Sequence, residues 1–182
     1  MVRILTFDTE TTGLSTTKDR ICQLGLTLME EDGSELLRYE TLIDPQMKIP
    51  AKTSDIHGIM DADVLGKPTW HEIGPRFKRI IAKADIIAGH NIKGYDMPMV
   101  VSECIRCGVD IVGMGDGVQV LDTTEWRWAT PNGKIPRLGE LCFSLGIDYD
   151  EEAAHSAMYD VEVNARCIIE AMRRGLYRAG NA

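Results

Sequence analysis

The first residues equipped for chemistry are Asp8 and Glu10, in the stretch Asp8-Thr9-Glu10-Thr11-Thr12-Gly13-Leu14 that follows an apolar run. In an extended chain, side chains two apart share a face, so both carboxylates point the same way. Two close carboxylates repel. A divalent cation resolves the repulsion, and hard oxygen donors suit Mg²⁺ or Mn²⁺. The plainer reading of an isolated Asp-x-Glu is a solvated acidic turn. Gly13 weighs against it, because glycine permits close backbone approach and leaves N–H groups free for an anionic ligand. A second polar cluster, His90-Asn91-Ile92-Lys93-Gly94-Tyr95-Asp96, follows another short apolar run. Asp96 there either caps a helix, whose first turn Pro98 supports, or reaches a cation through water. A third cluster is His155-Ser156-Ala157-Met158-Tyr159-Asp160. Residues five apart on a helix are offset by about 140°. His155 and Asp160 therefore converge only if the histidine lies in the loop or first turn. Imidazole titrates near neutrality and suits a general base that takes a proton from water. A lone His near a helix start is more often a surface residue, so the weight lies in the set of three clusters.

Positioning these groups requires a sheet. Val2–Asp8, Ile21–Met29 and Leu36–Ile43 read as strands, the last two joined by the turn Glu31-Asp32-Gly33-Ser34, which predicts an antiparallel meander. Thr53–His57 and Asp61–Leu65 read as short helical turns. Thr69 is placed to cap a helix over Trp70–Ala84, where Ile73, Phe77, Ile80 and Ile81 recur at helical spacing. A strand Asp85–His90, a helix Asp96–Cys107, a strand Val118–Leu121 and helices Arg137–Leu145 and His155–Arg174 complete the order. Strands alternating with helices imply right-handed crossovers and a parallel half-sheet. The expected fold is α/β, one mixed sheet flanked by helices, with carboxylates at strand carboxyl ends where such sheets place their sites.

The 182 residues fit one domain over 1–182, with 44% apolar and 26% charged residues as in ordinary globular proteins. A formal charge of -8 disfavours a protein that coats nucleic acid electrostatically. It is compatible with an enzyme whose acidic site is neutralised by bound cations. No apolar stretch reaches the ~18 residues of a membrane span, and no secretory signal opens the chain. Five scattered cysteines favour a reducing compartment, the cytoplasm first and a nucleus or organelle after it. The pair Cys104 and Cys107 is expected to be structural, since no second pair stands at zinc-ligand spacing. Trp126 and Trp128 are expected in a core before any base-stacking role.

The order Asp8-x-Glu10, Asn91-x-x-x-Tyr95-Asp96, His155-x-Ala157-x-x-Asp160 resembles the DEDDh (DnaQ-like) 3′→5′ exonucleases. Ile56-His57-Gly58-Ile59, Leu121-Asp122-Thr123 and Leu138–Ile147 fall in register with further segments of that family. The second motif looks most like the TREX-type enzymes and the last like the proofreading epsilon subunit. The resemblance covers essentially the whole chain and implies an RNase H-like fold. It implies release of nucleoside 5′-monophosphates from 3′ ends with two divalent metal ions, Mg²⁺ or Mn²⁺. Asp8, Glu10 and Asp160 would hold one ion, Asp8 would bridge to the second, Asp96 would help hold that second ion through water, and His155 would be the base. Thr11, Thr12 and Leu14 match positions that contact or wedge the terminal nucleotide, and His57, Asn91 and Tyr95 match weaker contacts. The expected substrate is single-stranded DNA, with RNA or short oligonucleotides as the alternative. Two other readings are a catalytically silent nucleic-acid-binding module and a proofreading subunit bound to a polymerase. A polymerase or a second copy of the chain is the protein partner to look for, and no membrane partner is expected.

Overall fold

The computed structural model describes residues 1–179. Five strands form one mixed sheet: β1 (Arg3–Thr11), β2 (Ile21–Glu30), β3 (Glu35–Leu42), β4 (Ile86–Gly89) and β5 (Gln119–Asp122). Their order is β3-β2-β1-β4-β5. The meander β1-β2-β3 is antiparallel, while β4 and β5 add in parallel to the other side of β1. The helices are α1 (Ala51–His57), α2 (Asp61–Val64), α3 (Trp70–Ile81), α4 (Asp96–Cys107), α5 (Leu138–Leu145) and α6 (Ala157–Arg173). Two short 3₁₀ turns, Thr123–Glu125 and Arg127–Ala129, lead from β5 towards α5. Among the described residues no helix is long and apolar enough to cross a membrane.

Alternation along β1 divides its side chains between two layers. Leu5 and Phe7 join Trp70, Phe77, Met99 and Val100 in the core under α3 and α4. The Phe7 and Phe77 rings meet edge to face with centroids 5.0 Å apart. Ile4 points the other way and joins Leu141, Val163, Cys167 and Ile168 under α5 and α6. Burying one such aliphatic or aromatic side chain stabilises the fold by roughly 1.5–3 kcal/mol. On the α6 side the even positions of β1 turn from apolar to polar along the strand: Ile4, then Thr6, Asp8 and Glu10. The core therefore runs out into a polar cavity at one end of the sheet.

Helix boundaries follow local chemistry. Thr69 precedes α3 as the expected N-cap, and Glu72 completes the turn by accepting the Thr69 N–H at 2.7 Å. The helix stops at Ile81, three residues short of the expected end, and Ala82 caps it. The largest departure from expectation concerns β1, which runs to Thr11 instead of stopping at Asp8. Its pairing with β4 covers Ile4 to Thr6 alone, whereas β2 pairs with it as far as Thr11 opposite Ile21. One antiparallel neighbour keeps the strand extended where the parallel one has ended. Asp8 and Glu10 are thus inside a strand with one free edge. The last helix also begins later than His155, at Ala157.

α6 lies across β1 and β2, and Gly25 makes that approach possible. Gly25 stands opposite Asp8 in the β1–β2 ladder. A Cβ there would sit 2.8 Å from the Ala157 carbonyl carbon and 2.8 Å from the Met158 nitrogen. Both are backbone atoms of the helix start and cannot rotate away. Gly25→Ala is expected to push the start of α6 off the sheet, destabilise the fold by about 1–3 kcal/mol and depress catalysis beyond what the stability loss explains. Chemical denaturation beside activity at low temperature checks this; an alanine variant of full activity and stability would refute the close approach.

Candidate active site

β1 delivers Asp8 and Glu10, and the first turn of α6 delivers Asp160. One carboxylate oxygen from each lies within 4.8 Å of the others. All three side chains are partly accessible. Asp96, at the start of α4, is 2% exposed. Its Oδ1 accepts the Thr9 N–H at 3.0 Å and the Thr9 hydroxyl at 2.7 Å. Asp96 thereby takes the hydrogen bond that β4 would have supplied to Thr9 had it continued, and α4 is pinned to β1 beside Asp8.

Burial is the main cause of the raised carboxyl pKa values here, and mutual repulsion adds to it. Asp8 is held well above the ordinary range by burial first, then by Asp96, Glu10 and Asp160. Glu10 is pushed up to about 8 by burial, then Asp160 and Asp96. Burial lifts Asp96 to about 7 against the opposing pull of the Thr9 hydrogen bonds. Asp160 is raised by burial, with the His155 N–H and imidazole partly offsetting the rise. Between about pH 4.5 and pH 8 the folded cation-free protein therefore holds protons that the unfolded chain releases, so its stability falls as pH rises through that window. A melting temperature that declines from pH 5 to pH 8.5 in EDTA, and that Mg²⁺ restores most at the alkaline end, is the expected result. A flat or rising EDTA curve would contradict it.

The donors fit a hard divalent cation. Three carboxylates from two elements converge, and Asp160 Oδ1 is buried with no hydrogen-bond partner. An ionised oxygen in that state is costly unless a cation meets it. Asp160 Oδ2 is already occupied by the His155 N–H at 3.1 Å.

His155 precedes the helix in the left-handed region, with φ 64°. That conformation turns its backbone N–H onto Asp160 and leaves the imidazole exposed on the wall of a cavity of about 1240 Å³ that also contains Asp8 and Asp160. The loop placement that lets His155 and Asp160 converge is thus present.

The remaining sequence candidates are placed differently from one another. The Thr11 and Tyr95 hydroxyls lie 2.5 Å apart, and each also reaches the Gly13 carbonyl, at 2.9 and 2.8 Å. They tie the end of β1 to the start of α4. Thr12 is buried, with its hydroxyl accepting the Arg20 N–H at 3.0 Å. Leu14 is 88% exposed, in the bend that follows β1. His57 accepts the Ile59 N–H on Nδ1 at 3.0 Å, which leaves Nε2 to donate to the Thr11 carbonyl at 3.2 Å. The ring so engaged braces the end of β1. Asn91 is exposed, with φ 65°, and its N–H bonds Asp122.

Asp122 is the residue whose part sequence reasoning missed. It is 3% exposed at the end of β5 and accepts the N–H groups of Asn91, Lys93 and Thr124 at 2.9, 3.0 and 3.0 Å. It folds the loop that presents Asp96. Its place at a strand end with Thr124 two residues on is an Asx-turn signal, but its long-range partners have no local signature. Cys104 accepts from Trp70 Nε1 at 3.3 Å, and Cys107 lies 3.8 Å from Glu103. Trp126 is buried as expected, whereas Trp128, expected in a core, is half-exposed and stacks on it with centroids 5.6 Å apart.

A mixed five-stranded sheet with helices on both faces, with the carboxylates of its central strand meeting that of α6 while Asp96 of α4 turns to Thr9, has the RNase H-like architecture. The family model described as RNase_T, exonuclease, matches residues 5–168, and the chain belongs to that exonuclease family, within the DnaQ-like 3′→5′ class. It is 36% identical over 169 residues to the DNA polymerase III subunit epsilon of Treponema pallidum, which covers 89% of this chain and 73% of that protein. It is 28% identical over 163 residues to the PolC-type DNA polymerase III of Clostridium perfringens, of which it spans 11%. In structure it is similar to E. coli exonuclease I in complex with a dA16 oligonucleotide. The TM-score is 0.80 at 18% identity, over 95% of this chain and 41% of that one. A zinc-bound complex of that exonuclease with single-stranded DNA gives a TM-score of 0.82 at 19% identity, over 96% and 41% of the chains. The chain thus spans 41% of the length of exonuclease I and 11% of that PolC-type polymerase.

Proposed function

We propose that residues 1–182 act as one exonuclease domain that hydrolyses the terminal phosphodiester at a single-stranded DNA 3′ end, releasing a nucleoside 5′-monophosphate. The observation that carries the chemistry is the convergence of Asp8, Glu10 and Asp160 within 4.8 Å, with an orphaned carboxylate oxygen among them. Asp8, Glu10 and Asp160 would hold one divalent cation, Mg²⁺ or Mn²⁺, and Asp8 with Asp96 would hold a second. Bound there, the pair would neutralise the phosphate, acidify water and clamp the attacking and leaving oxygens of an in-line displacement. His155 takes the proton of the attacking water, its ring held at the cavity wall by its own N–H bond to Asp160. Thr11, Thr12 and Tyr95 shape the floor under the terminal nucleotide, and Leu14 wedges against its base. His57 and Asn91 flank that floor. Single-stranded DNA is favoured because the exonuclease I of similar fold is seen with oligodeoxynucleotides. The likeness to epsilon subunits supports a polymerase as partner.

The test uses 5′-labelled DNA and RNA oligonucleotides of one sequence with Mg²⁺ or Mn²⁺. A ladder shortening from the 3′ end on DNA, faster than on RNA and abolished by EDTA, is expected. Faster RNA cleavage would reassign the substrate. No cleavage of either would leave a binding module or a subunit that works with its polymerase.

A further inference from the structure

Beneath the carboxylates lie two buried polar side chains with no role in the mechanism above. Thr6 is fully buried and its Oγ1 has no hydrogen-bond partner; Asn164 is 2% exposed and its Oδ1 has none. Both line the cavity that contains Asp8 and Asp160. Their positions follow from the two elements. Thr6 is two residues before Asp8 on β1 and shares its face. Asn164 is four residues after Asp160 on α6, one turn further along the same stripe. The two elements pass in opposite senses, since Asp8 meets Asp160 while Ile4 shares a core cluster with Val163, Cys167 and Ile168. Thr6 and Asn164 therefore face each other between the carboxylates and the apolar core.

Buried hydroxyls and amides are almost always satisfied, and where protein supplies no partner an ordered water does. A water needs a polar site with two to four partners, and internal waters make about three hydrogen bonds. The Thr6 hydroxyl is a donor, Asn164 Oδ1 is an acceptor, and a carboxylate oxygen of the cluster above is a second acceptor. The cavity has ample room for one molecule.

We propose that Thr6 and Asn164 form a built site for one internal water that hydrogen-bonds the carboxylate cluster from below, making both residues positioning residues for its cation ligands. The water accepts from Thr6, donates to Asn164 Oδ1, and donates its second hydrogen to Asp160 or Asp8. It holds the carboxylate in the rotamer that presents its other oxygen to a cation. Groups that orient metal ligands in this way change affinity about 10- to 100-fold when removed. The inference rests on the reading of Asp8, Glu10 and Asp160 as a cation site.

Thr6→Val and Asn164→Leu replace each polar group by an apolar one of similar shape, singly and together, and Asn164→Thr keeps a hydroxyl. Mn²⁺ binding is measured by calorimetry without substrate, beside the melting temperature in EDTA. The double variant is expected to bind Mn²⁺ on the order of tenfold more weakly while melting no lower than the parent. Asn164→Thr should restore most of the affinity. In turnover assays the deficit should shrink at saturating Mn²⁺, with KM for the oligonucleotide unmoved. Equal Mn²⁺ affinity in parent and double variant overturns the proposal alone. So does parallel loss of melting temperature and affinity in every variant, which marks a merely structural role. A parent that binds no Mn²⁺ overturns the cation reading and this inference with it.

Discussion

Asp8→Asn is expected to abolish hydrolysis and, at the same time, to raise the melting temperature of the cation-free protein. The two effects have one cause. Asp8 stands beside Asp96, Glu10 and Asp160, and every one of these adds to the rise in its pKa that desolvation begins. A neutral amide of the same shape removes that repulsion and also removes the ligand shared between the two proposed cations. Cations at such sites supply several kcal/mol of charge stabilisation in the transition state, so turnover should fall by about 10³-fold or more. Mg²⁺ should no longer lift the melting temperature of the variant as it does the parent's. The paired measurement is turnover on a labelled oligonucleotide and thermal melting in EDTA at pH 8. A variant that keeps a tenth of the activity, or that melts lower without metal, would show that Asp8 is structural.

His155→Asn should lower kcat by about 10²- to 10⁴-fold, the range for losing a positioned general base, while oligonucleotide binding stays near the parent's. Asparagine is the informative replacement because of the backbone. His155 has φ 64°, a region that asparagine tolerates and that strains alanine. The N–H bond to Asp160 is backbone-derived and survives the change. The expected loss therefore belongs to the imidazole. Binding is followed by fluorescence anisotropy with Ca²⁺ in place of Mg²⁺, and turnover by single-turnover kinetics. If binding and turnover fell by the same factor, the base assignment would fail and His155 would be a substrate contact.

Gly25 and the pH dependence of stability extend the same logic to the scaffold. The acidic cluster is an expensive arrangement without cations, and the fold tolerates it because the surrounding core is assembled independently on both sheet faces. Phe77 and Trp70 on one face and Leu141, Cys167 and Ile168 on the other stand clear of the cavity that holds Asp8 and Asp160.

Much of this was legible in the residues alone, for reasons of short range. Alternation placed Asp8 and Glu10 on one face, Thr69 marked the start of α3, and the change from antiparallel meander to alternating strand and helix predicted the mixed sheet. Those signals need no partner distant in sequence. The three clusters likewise carried a family resemblance that the match over residues 5–168 bears out. What the tertiary structure alone decided depends on contacts between remote segments. β1 continues to Thr11 because β2 pairs with it after β4 has ended. Asp96 turns to Thr9 across a separation of 87 residues. Asp122 folds the Asn91–Lys93 loop, Gly25 yields room to α6, and Thr6 and Asn164 come to line one cavity. A residue's type announces what it can bond to, but which buried donor meets which acceptor is set by how the layers stack. In this chain local pattern set where the carboxylates stand along β1 and α6, and packing set which remote groups they meet.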